Sequence, residues 1–249
     1  MEGRKNVSHE NKEKNSGPLF KVTLMRHEEP HYMDIGHDLT EKGVESAHRT
    51  GALLKEDGRI SEDDEMYLLH SPKPRAKGTL DFVAQGAGVA TTTSRSTKQL
   101  RASDVPNKEV FMARINELGA NQEAVAKDHY TNPQYEENPG FIEPNSKKKE
   151  RLYRAFEYLI RTFDKQEPNA IKTPHVLAVS HFEIITHLID DVFGIETFDG
   201  YNTPSFGETI SIEAAKTDSP HEVVLQVNFR DRSKEVVFNR KTRSIEVSE

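Results

Sequence analysis

An arginine and a histidine stand side by side at Arg26-His27, directly after the apolar run Phe20-Lys21-Val22-Thr23-Leu24-Met25 and before Glu28-Glu29-Pro30. A guanidinium offers a planar fork of donors that matches phosphate or carboxylate. An imidazole supplies a nitrogen that serves as base, nucleophile or metal ligand near neutral pH. Two further groups of the same kind lie downstream: Arg75, in the bend Ser71-Pro72-Lys73-Pro74-Arg75-Ala76, and His181, closing the run His175-Val176-Leu177-Ala178-Val179-Ser180. The chain has no cysteine, so a disulfide framework, a cysteine nucleophile and a thiolate zinc site are excluded. His27-Glu28-Glu29-Pro30-His31 satisfies the letters H-E-x-x-H of zinc metalloproteases, which need both histidines one turn apart on a helix. Pro30 would fall inside that helix, where it costs about 3 kcal/mol, and the preceding residues are strand-like, so no metal is predicted there.

The elements that must hold these groups follow from hydrophobic pattern. Val22, Leu24 and Met25 suit a buried strand, and Pro30 cannot continue a ladder, so the strand stops at His27. Ligands of open α/β sheets sit at such carboxyl ends. Thr40 is a helix cap, with Val44, Ala47, Gly51 and Leu54 at helical spacing over 41–55 and Gly58 as the stop. Met66 to His70 is a second strand, and a helix from the Pro-rich bend to about Ala84 brings Arg75 to its start, where free N–H groups favour an anion. Thr97 to Leu100 is expected as a strand. Residues 104–145 read as an insertion or lid: one or two helices over 110–127, then a stretch with three prolines over 130–144. Leu152, Ala155, Phe156, Leu159, Ile160 and Phe163 make the buried stripe of a helix over 147–163. Residues 175–181 have the length of a central parallel strand, a helix follows at 182–193, and strands are expected at 208–213, 223–229 and 235–238. The fold class is α/β: a three-layer sandwich with a mostly parallel central sheet and antiparallel strands at the C-terminal end.

With 249 residues the chain can bury a core in one domain, expected over 19–249, behind a polar tail over 1–18 expected to be disordered. A net charge of -7 argues against nucleic acid as a partner, and the run Lys147-Lys148-Lys149 reads as a solvated face. No segment approaches a membrane span or the apolar core of a signal peptide, so no membrane partner and a cytoplasmic location are expected.

Taken together, Leu24-Met25-Arg26-His27, Asp38-Leu39-Thr40-Glu41-Lys42-Gly43, Ser71 to Ala76 with Thr79, and Val179-Ser180-His181 resemble the histidine phosphatase superfamily, which includes the phosphoglycerate mutases. The resemblance implies a metal-free mechanism with no cofactor, in which His27 attacks phosphorus to form a phosphohistidine that water then hydrolyses. Arg26, Arg75 and His181 would bind the phosphoryl oxygens, with His27, His181 and Asp104 as the catalytic set. Asp104 stands in for the general acid because the Leu-Arg-Glu context of mutase-like members reads Leu100-Arg101-Ala102 here; Glu109, Glu183 and Glu28 are the other carboxylates considered. Two further departures are Glu28 and Phe182, where most relatives have glycine. A carboxylate facing the phosphate would repel it, and a phenyl ring would narrow the pocket or stack on a substrate. The implied function is a phosphomonoester hydrolase acting on a phosphorylated small molecule or a phosphoprotein. A non-catalytic phosphate binder and a phosphoglycerate-type mutase are the alternatives; substrate and oligomeric state are not readable.

Overall fold

The structure, a computed structural model, describes residues 17–90, 93–165, 172–194 and 203–247. The expected tail therefore lies, up to residue 16, outside the described residues. Among the described residues, an eight-stranded sheet has the order β3-β2-β4-β1-β5-β6-β7-β8, with β1 at Phe20–Arg26, β2 at Asp64–His70, β3 at Ser94–Ser96 and β4 at Thr173–Ser180. The remaining strands are β5 at Thr209–Lys216, β6 at Glu222–Phe229, β7 at Arg232–Asn239 and β8 at Ser244–Val247. The first four are parallel to one another and the rest antiparallel. The register sets Arg26 beside Ser180 and His70 beside Val179, so three neighbouring strands finish at one level of the sheet edge.

The central strands are continuous apolar runs because both of their faces are covered. Phe20, Val22 and Leu24 pack with α6 (Asn145–Phe163) and α7 (Phe182–Phe193) on one side. Met25 packs with α1 (Glu41–Glu56) and α2 (Pro74–Gly86) on the other. Thr40 caps α1, its Oγ1 accepting the Gly43 N–H at 3.0 Å. Gly51 lets α1 lie directly on the Val83 backbone of α2, where a Cβ would overlap a carbonyl. A buried polar network staples three strands on this face: His175 Nδ1 lies 3.0 Å from Asp64 Oδ2 and its Nε2 lies 2.9 Å from Thr23 Oγ1. The hydroxyl, imidazole and carboxylate follow the order of a nucleophilic triad. Thr23 and His175 are only 1% exposed, so the array ties strands together rather than meeting a substrate.

Three expectations are corrected. The paired strand before the insertion is Ser94–Ser96, not 97–100; Thr97 instead caps a 3-10 turn over Lys98–Leu100. Lys148, expected on a solvated face, is 0% exposed, because it falls on the side of α6 that carries Leu152 and Phe156. The 208–238 meander gains β8 as a further strand, antiparallel to β7. Residues 104–145 hold α3 (Lys108–Glu117), α4 (Gln122–Thr131) and the short α5 (Gln134–Glu137), and α3 has no buried residue. No helix among the described residues is long and apolar enough to cross a membrane.

Candidate active site

Arg26, His27, Arg75 and His181 meet at the edge where β1, β2 and β4 end, and all four are buried. The chain leaves β1 through two backbone bonds, Arg26 N–H to Glu208 O at 3.1 Å and His27 N–H to Ser180 O at 3.0 Å. His27 Nδ1–H donates to the carbonyl of Glu28 at 2.8 Å. That bond fixes the tautomer, leaving the Nε2 lone pair facing the site. Arg75, in the first turn of α2, directs its Nε–H at His27 Nε2 across 3.3 Å. The His181 ring lies edge-on to His27 with centroids 5.0 Å apart, and its Nε2 shares a 2.7 Å hydrogen bond with Ser71 Oγ. Arg26 is oriented by Nη1–H donation to Pro204 O at 2.7 Å and lies over the Phe206 ring at 3.9 Å; its buried Nε has no hydrogen-bond partner in the protein.

Burial above all, then the His181 ring and the Arg75 and Arg26 cations, hold the His27 imidazole well below its ordinary value, against the opposing pull of the Glu28 carbonyl. His181 is held well below by burial and then by Arg75, Lys73, Arg26 and Arg151. Both rings are therefore neutral at pH 7. A neutral imidazole with a fixed tautomer, beside two guanidiniums, is a nucleophile facing an anion-binding pocket.

The loop from His31 to Asp38, closed by a bridge between Pro30 and Leu39, supplies groups that the sequence did not reveal. Tyr32, Asp34 and Asp38 all have positive φ, at 60°, 54° and 55°. This backbone turns Tyr32 over the site: Arg26 donates to its hydroxyl oxygen, and the Arg75 guanidinium lies 5.4 Å from its ring. It also sets Asp34 against Arg75 Nη1 at 3.2 Å and Lys73 Nζ at 2.6 Å, with Asp38 3.8 Å from the same Arg75 nitrogen. An arriving phosphate must displace or share these carboxylates. Phe206 and Ser71 were likewise missed as site residues; Ser71 stands within the quoted bend, whereas nothing local to Tyr32 or Phe206 signals a role.

Glu28 does not face the pocket. Its N–H donates to Thr79 Oγ1 at 2.9 Å, and its carboxylate turns towards Ser46 and Arg49 of α1, with Oε1 buried and without a hydrogen-bond partner. It fills the space over Gly207, whose φ of +71° and whose contact with Glu28 both exclude a Cβ. Phe182 lies with its ring 5.1 Å from the Arg26 guanidinium. The Asp104 carboxylate pairs with Arg101, and the residue lines an adjoining cavity of about 640 Å³ with Asp34, Lys73, Lys98 and Arg101. Glu109 is exposed on α3. Glu183, in the first turn of α7, is 8% exposed, accepts the Ser103 N–H at 3.0 Å, and acts electrostatically on Arg26 and Tyr32. No group of three or more His, Asp or Glu side chains among the described residues is arranged to hold a metal ion.

Residues 22–229 match the family model of the histidine phosphatase superfamily, branch 1. The chain belongs to that superfamily. The fold agrees with solved members across most of its length. The native mycobacterial glucosyl-3-phosphoglycerate phosphatase aligns with a TM-score of 0.58 at 13% identity, over 86% of this chain and 99% of that one. A phosphoglycerate mutase from Bacillus anthracis str. Sterne aligns with a TM-score of 0.53 at 19% identity, over 80% and 90%. Bacillus stearothermophilus YhfR aligns with a TM-score of 0.52 at 20% identity, over 78% and 91%. At these identities the likeness establishes the fold alone. No curated protein is significantly similar in sequence.

Proposed function

We propose that the protein is a phosphomonoester hydrolase that needs no metal and acts through a phosphohistidine on His27. The observation that carries this reading is the His27 Nδ1–H bond to the Glu28 carbonyl, which leaves Nε2 as a lone-pair donor beside Arg75 and Arg26. The substrate phosphoryl group enters among Arg26, Arg75 and His181, and Nε2 attacks in line with the departing alcohol. The two guanidiniums stabilise charge on the transferring oxygens, the role that fixed donors play in an oxyanion hole. His181, set by Ser71, supports the same oxygens through its ring nitrogen. Water then hydrolyses the phosphohistidine.

A non-catalytic phosphate binder was suggested by Glu28, Phe182 and Ala102. The Glu28 carboxylate turns to α1, which weighs against the first of these motives, while the Phe182 ring lies against Arg26 at the pocket. Among known members of this fold are a glucosyl-3-phosphoglycerate phosphatase and a phosphoglycerate mutase; the hydrolase reading joins this chain to the former kind of chemistry, without its substrate. The test is hydrolysis of a generic aryl phosphate from pH 5 to 8 with a chelator present, wild type against His27→Ala. Chelator-resistant turnover that vanishes in the variant is expected; turnover surviving in the variant overturns the proposal.

A further inference from the structure

The face of the sheet under α6 holds a second cavity, apart from Arg26, His27, Arg75 and His181. The strand register sets Leu24, Ala178, Leu69 and Arg95 in one row across β1, β4, β2 and β3. Side chains of such a row share one face of the sheet, here the face that packs on α6. Ala155, Phe156 and Leu159 of α6 lie over the row, and Leu100 of the 3-10 turn joins the wall. Ala178 on the sheet and Ala155 on the helix are both short, so the two layers do not fill the space between them. What remains is a cavity of about 270 Å³. A cavity of about 150 Å³ with Leu, Ile and Phe walls already holds benzene, so this one admits a longer apolar body.

The lining changes character along the row. Leu24, Ala178, Leu100 and Phe156 are buried, whereas Arg95 and Ser96 on β3 and Tyr158 on α6 are exposed. The cavity therefore opens beside the edge strand, and a guanidinium stands at its mouth. Arg95 makes no hydrogen bond or ion pair among the described residues. Neighbouring strands are about 4.8 Å apart, so about 10 Å separates Ala178 from Arg95. We propose that this cavity binds a small amphipathic monocarboxylate, its apolar chain laid over Leu69, Ala178 and Leu24 beneath α6 and its carboxylate on Arg95. The planar fork of one guanidinium matches one carboxylate. A charged head is costly in the apolar interior, which fixes the orientation: tail inward, head at the mouth. None of Arg26, His27, Arg75 and His181 lines the cavity, so its ligand is not the phosphoryl substrate, and the site does not depend on the phosphohistidine reading.

The test is calorimetry and thermal unfolding of the full chain with octanoate at pH 7, in saturating inorganic phosphate so that the phosphate pocket is occupied. Octanoate should bind saturably, one molecule per chain, and raise the unfolding midpoint. Butanoate, which lacks most of the chain, should bind at least about tenfold more weakly. Arg95→Glu should weaken octanoate by about fivefold or more and leave 1-octanol unchanged. Ala155→Phe fills the space and should abolish binding of both. Cooperative unfolding of each variant without ligand reports its fold, and Arg95→Glu, at an exposed position, decides the matter if the phenyl ring is not accommodated. No saturable binding of octanoate, its displacement by phosphate, binding retained in a folded Ala155→Phe, or equal effects of Arg95→Glu on octanoate and 1-octanol would each overturn the proposal.

Discussion

Glu28→Gln separates two meanings of the residue that follows the nucleophile. Were the Glu28 carboxylate directed at the pocket, it would stand about 4 Å from a phosphoryl charge. At an effective dielectric near 20 that repulsion is about 4 kcal/mol, or close to 10³ in kcat/KM, all of it recovered by the amide. The structure has the carboxylate beside Ser46 and Arg49 and over Gly207. The substitution should therefore change kcat/KM for an aryl phosphate by less than about tenfold, the equivalent of 1.4 kcal/mol. Its effect belongs to stability. Burial raises the Glu28 carboxyl above its ordinary range, so the stability linked to this group is present at low pH and lost as pH rises through the folded value. Urea unfolding at pH 7 should find Glu28→Gln at least as stable as wild type, with the two converging as pH falls through the carboxylate range. A large gain in kcat/KM in the variant would refute the orientation and revive the view of a repelled phosphate.

Other outcomes follow from the same geometry. Replacing Arg75 with Ala should lower kcat by about 10²–10³, as removal of one oxyanion-hole donor does; Lys there should recover only part, because the fork that reaches both His27 and the phosphate is lost. Asp34→Asn frees Arg75 and Lys73 from a half-exposed ion pair, so the inhibition constant of inorganic phosphate should fall, by up to about fivefold for a pair worth about 1 kcal/mol. Gly207→Ala should displace the Glu28 side chain and impair both folding and turnover. The double variant with Glu28→Gly should regain turnover, while the strain of about 1–2 kcal/mol for a positive φ persists. His187, buried and held down to about 3, stays neutral in the fold while the unfolded chain protonates below pH 6.5. Wild type should lose about 2 kcal/mol from this group between pH 7 and pH 5, a loss absent in His187→Asn when unfolding free energies are compared.

The parts of the fold that were legible are those written in burial on both faces. The runs ending at Met25 and Val179 become β1 and β4, and their parallel register alone suffices to bring Arg26 and His181 together. Arg75 was legible because Pro72 and Pro74 force a bend at the end of β2 and Pro74 opens α2. The loop after β1 was not legible. Tyr32, Asp34 and Asp38 take positive φ without being glycine, and their side chains meet Arg26, Arg75 and Lys73, partners distant in sequence. Lys148 hid within a basic triplet because charge gives no hint of which helix face a residue occupies; the stripe of Leu152 and Phe156, read with its phase, would have placed it inside. Asp104 was favoured by its place in the chain; its carboxylate pairs with Arg101 three residues away, and it shares a cavity with Asp34 and Lys73. The orientation of Glu28 depends on Ser46, Arg49 and Gly207, all distant in sequence.

The central claim is that phosphorus becomes bonded to His27. The direct measurement is rapid mixing with 2,4-dinitrophenyl phosphate in a chelator, alkaline quenching, and mass analysis of the peptide that contains residue 27, in wild type and His27→Ala. One phosphoryl group on His27, stable in alkali, lost in acid and formed as fast as turnover, is the predicted result. Turnover with no adduct on that peptide, or undiminished in His27→Ala, would contradict the account.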